Sequence, residues 1–361
     1  MRTAATTSPS RPFARANLRR AAQWLIGQAF HELETPNQAA PLTRRGIHRV
    51  LVCRVSHTLG NTLLVTPLIH EIARLFPGAE VDVVTRSAVA DELFPRFDRV
   101  RTVFRLPNHG LASPHRVAAV IRAVRARAYD LAIDPGLLST TDRLYVLAAN
   151  ARWKLGYASK LGRGLTHAVA APPHLLHVGK LPVYLLRKAV RDDDQEPYPG
   201  LDLALSPTER AWGRGIVEQI AGRSGPITGL FTGATGAKHL GAEWWRRFAS
   251  EWARTHPGAR LIEFIPLAGR SMLEDRWPTY YSTDVRRLAA VISAVTRFVA
   301  ADCGVMHLAS AANAPTAGLF RGTRISEWAP YGPHDLALDV TAMEPETAAR
   351  VVAAAHGRLV H

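Results

Sequence analysis

The chain has 361 residues, 47% of them hydrophobic and 21% charged, with a formal net charge of +15 and two cysteines. That length exceeds what one core holds and predicts two domains, while Cys53 and Cys303 are too few for a disulfide framework or a cysteine-based zinc cluster. No apolar run reaches the roughly 20 residues that span a bilayer, and the N-terminus lacks the apolar core of a secretory signal, so a cytoplasmic location is expected.

The positive charge is almost wholly arginine and favours an anionic partner: a phosphorylated substrate, an anionic lipid or a nucleic acid. No nucleic-acid recognition motif accompanies it, so nucleic acid is not the expected partner.

Residues 1–45 form a basic extension. TAATTSPSRP is too polar and turn-rich to pack, and LRRAAQWLIGQAFHELE then places Leu18, Ala21, Ala22, Leu25, Ile26 and Ala29 at helical spacing. Seven arginines up to Arg45 stand against Glu32 and Glu34. Two readings stay open for this amphipathic helix: it lies on an anionic membrane surface with Trp24 and Phe30 in the interface, or it docks on the protein's own body or a second copy. TPNQAAPLTRRG reads as a linker.

Residues 46–200 alternate between strand and helix patterns. HRVLVCRV is a strand ending at the turn-prone SHTLGN, and TLLVTPLIHEIARLFP reads as one helix stopped by Pro77. AEVDVVT and VRTVFRLP are strands, VAAVIRAVRARA a helix, and YDLAIDP a strand ending in a polar turn, where open parallel sheets collect ligands.

Residues 201–361 restart the alternation. SPTERAWGRGIVEQIAG is a helix with a Ser cap and Pro in its first turn, PITGLFTGA a strand and turn, GAEWWRRFASEWARTH a helix, ARLIEFIPLAG a strand, VRRLAAVISA a helix and RFVAAD a strand. No G-x-G-x-x-G follows the first strand, and GATGAKH lacks both the Gly-Lys adjacency and the hydroxyl residue of a P-loop, so neither an NAD enzyme nor a Walker ATPase is expected.

The stretch ADCGVMHLASAANAP, from Ala301 to Pro315, then places Asp302, Cys303 and Gly304 in the turn between a strand and the helix VMHLASAA. At that sheet edge the free N–H groups of the helix and its dipole favour an anion such as a diphosphate. Gly304 lets the backbone approach a phosphate, Asp302 is expected to order the turn as an N-cap or touch the ligand, and His307 to donate to a phosphate oxygen or sit as a structural residue.

The run DCGVMHLASAANAPTAGLF resembles the C-terminal signature of glycosyltransferase family 9, the ADP-heptose:lipopolysaccharide heptosyltransferases. The resemblance extends through RVLVCRVSHTLGNTLLVTPLIHEIARLFPGAEVDVVT, through YDLAIDPGLLSTTDRLYVLAANARWKLGY with its arginine and Gly-aromatic pair, and through WAPYGP; only about the first 45 residues fall outside it. It implies an α/β chain of GT-B architecture, in which two Rossmann-like domains face a central cleft. The N-terminal domain (46–200) would hold the acceptor and the C-terminal domain (201–361) the nucleotide sugar.

The resemblance further implies inverting transfer without metal or other cofactor, on a phosphorylated lipopolysaccharide-core-type glycolipid, by a cytoplasmic enzyme peripheral at the inner membrane. Lys238 stands where the family carries a lysine before a tryptophan-containing helix, and would balance the leaving diphosphate as a point charge. Thr232, Gly233, Thr235 and Gly236 would add donors, with Asp302, Cys303, Gly304 and His307 completing the donor site.

Two departures mark this chain. Where the family has Gly-Asp after the first strand, its Asp taken as the general base, this sequence has Gly60-Asn61. An amide cannot accept that proton, so Asn61 would orient the acceptor hydroxyl beside Gly60 and Thr62, and general-base help of about 100-fold to 10,000-fold would come from elsewhere. His57, in the same turn and of the side-chain type that titrates near neutral pH, is the first candidate and Asp134 the second. The alternative is a catalytically impaired sugar-nucleotide-binding or assembly subunit. The second departure puts Arg321-Gly322-Thr323 where the family has Gly-Pro-Thr; Arg321 and Arg324 are candidates for an anionic group of the donor or the acceptor, with Arg321 placed at the acceptor, or else line a basic rim.

Overall fold

The computed structural model describes residues 41–357 apart from 109–111, 138, 159–163, 176, 193–195, 223–224 and 268. The amphipathic helix expected from Leu18 lies outside the described residues.

The first half runs β1 (Arg49–Cys53), α1 (Leu59–Leu63), α2 (Thr66–Leu75), β2 (Glu80–Thr85), α3 (Ala90–Leu93), β3 (Val100–Arg105), α4 (Pro114–Arg125), β4 (Tyr129–Ile133), α5 (Thr140–Ala148), β5 (Ala151–Tyr157), β6 (His167–Val169) and α6 (Leu181–Val190). Its strands pair in the order β3-β2-β1-β4-β5-β6, all parallel. Four of the five residues of β1, RVLVC, are buried, as a parallel strand covered on both faces requires.

The second half runs α7 (Pro207–Ala221), β7 (Ile227–Phe231), α8 (Ala242–Thr255), β8 (Arg260–Phe264), β9 (Thr279–Tyr280), α9 (Val285–Ile292), β10 (Arg297–Ala301), α10 (Gly304–Ala311), β11 (Thr316–Phe320), α11 (Ile325–Trp328), β12 (Leu336–Asp339) and α12 (Pro345–Gly357). The order β12-β11-β10-β7-β8-β9 is again wholly parallel. Each sheet therefore reverses its winding between its first and fourth strands, β1 and β4 in one and β7 and β10 in the other. Such switch points open a crevice at the carboxyl ends of the strands.

Local chemistry explains the element ends. Ser206 caps α7 by accepting from Glu209 N at 3.2 Å, while Glu209 Oε2 accepts from Ser206 N at 2.8 Å, a reciprocal pair with Pro207 in the first turn. The single helix expected over TLLVTPLIHEIARLFP is instead two, broken at Leu64 and Val65. Pro67 disfavours helical backbone just before it and opens α2, and the helix start moves back so that Gly60 and Asn61 lie in the first turn of α1 rather than in a loop.

The halves share apolar surface. Leu63, Leu64 and Leu93 of the first half pack in the same buried cluster as Leu203, Met306 and Leu308. Polar contacts extend the junction: Val178 N donates to Glu327 O at 3.0 Å, His177 Nε2 lies 2.7 Å from Ala329 O, and Tyr331 Oη donates to Pro199 O at 2.9 Å.

Candidate active site

The turn after β1 is held from below by α5. Buried Asp142 accepts from Val55 N at 2.7 Å and pairs with Arg54 Nη1 at 3.4 Å. Burial raises its carboxyl pKa, against the pull of the Arg54 guanidinium. Arg54 then reaches Asn61: its Nη2 donates to Asn61 Oδ1 at 3.0 Å, and Asn61 Nδ2 donates to Thr58 Oγ1 at 2.9 Å and Ser56 Oγ at 3.1 Å. The amide is thus fixed at both ends, its oxygen toward a cation, and has no capacity to take a proton. His57 is exposed in the same turn.

Across the junction, α1 abuts the N-terminus of α10. A Cβ on Gly60 would lie 3.1 Å from His307 Cδ2, and one on Gly304 would lie 3.1 Å from Leu59 Cβ and 3.2 Å from Gly60 N. Only two residues without side chains allow this approach. It brings the residues expected at the acceptor edge of one sheet against those expected at the donor edge of the other.

At that N-terminus the N-cap is Cys303, not Asp302, and it makes no side-chain capping bond. The Asp302 carboxylate turns instead to Lys238, whose Nζ lies 2.8 Å from Oδ2, with the lysine side chain 37% exposed and the aspartate 2%. Lys238 ends a short 3₁₀ turn (Gly236–Lys238), and Gly236 opens that turn in the left-handed region at φ 63°. Burial drives the Cys303 thiol up to about 11, so it is a neutral group and no nucleophile. Burial pulls the His307 imidazole down to about 4, and its Nδ1 is buried without a hydrogen-bond partner among the described residues.

Two spaces open between the halves. One cavity of about 430 Å³ borders the fixed turn and is lined by Arg54, Leu64, Gly136, Leu175, Glu327 and Trp328. A larger groove of about 850 Å³ runs past Glu92, Arg96, Trp212, Asp284 and Arg287. It contains none of the residues that converge at α1 and α10, and its Glu92 is engaged in accepting from Val285 N at 3.2 Å across the junction. The smaller cavity touches the Asn61 turn through Arg54, but no residue of α10 lines it.

Residues 282–352 match the model of glycosyltransferase family 9 (heptosyltransferase). A family 9 glycosyltransferase from Veillonella parvula superposes with a TM-score of 0.74 at 15% identity, covering 88% of this chain and 99% of that one. These likenesses show the fold, and the family match rests on the C-terminal stretch alone. E. coli heptosyltransferase WaaC with ADP gives 0.66 at 18% identity over 85% and 99% of the two chains, and E. coli ADP-heptose lps heptosyltransferase II gives 0.66 at 17% over 87% and 100%. A search of the curated proteins finds no match to this sequence. The GT-B fold is that of these structures.

Several expected site residues stand elsewhere than the cleft surface. Asp134 is fully buried, its Oδ2 accepting from Arg143 Nε at 2.7 Å and its Oδ1 from Gly136 N at 3.1 Å. Arg143 Nη2 also donates to Tyr157 O at 2.9 Å, so the arginine and the Gly156-Tyr157 pair noted in the sequence form one structural bracket around Asp134. Burial pushes that carboxyl up to about 6 despite the guanidinium, yet no face of it is open to an acceptor.

Thr62 is buried and donates to Thr58 O at 2.9 Å, and Thr232 is buried and donates to Glu263 Oε1 at 3.3 Å, so neither hydroxyl is free for a ligand. Gly233 packs so that a Cβ would meet Phe231 and Pro266 at 3.0 Å, whereas Thr235 is exposed beside Lys238. Arg321 lies on the second half, its Nη1 donating to His239 O at 3.4 Å, beside the Lys238 turn rather than on the acceptor side.

Sequence reasoning missed Arg54 and Asp142. The signal for Arg54 was its place one residue past β1, at the carboxyl edge of the strand that flanks the switch point. Among the described residues no group of three or more His, Cys, Asp or Glu is placed to hold a metal ion.

Proposed function

We propose that this enzyme transfers a heptose from an ADP-heptose donor to a hydroxyl of a lipopolysaccharide-core-type acceptor, with inversion and without a metal ion. The observation that carries the reading is the junction itself. The Asn61 turn of one sheet edge stands against the α10 N-terminus, where Lys238 waits on a carboxylate. The family match and the ADP of the E. coli WaaC structure support the donor class.

In this reading the diphosphate draws Lys238 Nζ toward itself, sharing it with Asp302, and the α10 N-terminus faces the same charge. A neutral His307 contributes a hydrogen bond rather than a charge. The acceptor enters along the 430 Å³ cavity, whose mostly apolar walls suit the faces of a sugar ring and whose Arg54 suits an anionic substituent. Asn61 orients the attacking hydroxyl, and His57, exposed in the same turn, takes its proton.

Titration calorimetry with ADP tests the donor half: Lys238→Ala weakens binding about tenfold or more, the loss of one charge-assisted bond. Unchanged affinity in that variant removes Lys238 from the donor site. The bound state of Asn61 favours a second reading, a subunit that binds the sugar nucleotide without turning it over. Binding of ADP-heptose without any transferred sugar identifies that case.

A further inference from the structure

The charge of this protein is unevenly placed. Residues 41–200 carry 23 Lys and Arg against 13 Asp and Glu, a net +10, whereas residues 201–361 carry 17 against 15, a net +2. Within the first half, the stretch from Arg99 to Ala128 holds seven arginines and no acidic residue.

Three of those arginines are accounted for by carboxylates from outside the stretch: Arg101 pairs with Glu80, Arg105 with Asp91 and Arg127 with Asp82. The α4 helix is different. It buries only Val124 fully, with Val117, Val120 and Ile121 half-buried on the same side. Its opposite side shows His115, Arg116, Ala119, Arg122 and Arg125, all exposed. Arg116, Arg122 and Arg125 make no ion pair or side-chain hydrogen bond among the described residues, and the Lys154 pKa, lowered first by burial, is lowered further by the Arg125 charge. Three like charges on one helix face, with no carboxylate among them, add little to folding and are complementary to an external anionic surface.

We propose that the exposed face of α4 docks on an anionic lipid bilayer. Small alanines between the arginines let the helix lie close to a flat surface, and each arginine near such a surface contributes roughly 1 kcal/mol, about fivefold in affinity. The face belongs to the half expected to hold the acceptor, so docking would present that half to a membrane-borne substrate. In this last respect the inference rests on the acceptor reading above.

The test uses the full chain and two charge-reversed double variants, Arg122→Glu with Arg125→Glu, and as control Arg214→Glu with Arg270→Glu on exposed sites of the second half. Co-sedimentation is measured with vesicles of phosphatidylcholine alone or with a third phosphatidylglycerol. The natural chain binds the anionic vesicles and is released by about 1 M salt, where screening falls to about 3 Å. The α4 variant loses at least about tenfold in affinity, and the control keeps it. Equal binding by the α4 variant overturns the proposal, as does tighter binding of short single-stranded DNA than of vesicles through the same arginines. Transfer to a lipid-free core oligosaccharide separates the two readings: the α4 variant retains natural turnover there. Arginine-dependent vesicle binding with no transfer to any acceptor leaves the docking face intact and ends the acceptor reading.

Discussion

At the level of single residues, Asp134 and His307 show how burial decides what a polar group can do. Asp134 stands at the end of a strand that flanks the switch point, where a base belongs, but its oxygens are committed to Arg143 and Gly136 inside the protein. Asp134→Ala leaves the guanidinium uncompensated and costs about 3 kcal/mol or more of stability, read as a large fall in melting temperature. A variant that melts normally but loses turnover would show that Asp134 acts on the acceptor. His307 makes a pH prediction. Its folded pKa of about 4 lies below the ordinary 6.5, so the neutral ring contributes stability above pH 6.5 that is lost as the pH falls toward 4. The natural chain therefore loses about 3 kcal/mol relative to His307→Gln between pH 7 and 4, measurable by urea titration at several pH values. A constant gap across that range contradicts the assignment.

The strands were legible in the sequence wherever a β-branched run was bounded by turn residues, as in RVLVC and EVDVVT. β5, β6, β9, β11 and β12 escaped, because β5 is interrupted by Arg152 and Lys154, β11 (TAGLF) holds a single β-branched residue beside small ones, and the others are edge strands of two to four residues with little buried side chain. The donor-side turn was legible as strand, small residues, helix, but the partner of Asp302 was not, since Lys238 is 64 residues earlier in the chain and arrives only through the parallel pairing of β7 and β10. Helix packing adds a prediction. A Cβ on Gly213 would fall 2.0 Å from Ala290 O, so α7 and α9 touch through bare backbone. Alanine improves helix propensity by about 1 kcal/mol, yet the forced separation costs more, about 1–3 kcal/mol and upward. Gly213→Ala is expected to lower the thermal midpoint, and a raised midpoint would show that the contact yields easily.

For the molecule as a whole, the two sheets meet through α1 and α10, and the same contact brings together the residues of the candidate site. The Gly60–Gly304 approach makes the junction sensitive to one methyl group: Gly304→Ala pushes Leu59 and the Gly60 backbone away without touching Lys238 or Asn61 directly. Transfer in this variant falls while the fold of each half persists, so far-ultraviolet circular dichroism stays natural as turnover drops. An Asn stands where a base belongs and the Lys238 charge is held on Asp302, so the acceptor proton has to leave through a neighbour of Asn61.

The measurement that tests this most directly is mass spectrometry of a core acceptor incubated with ADP-heptose and the natural chain, Asn61→Asp or His57→Ala. The natural chain is expected to add one heptose and His57→Ala to lose that addition. Transfer by Asn61→Asp alone would contradict it and make the natural protein a binding subunit.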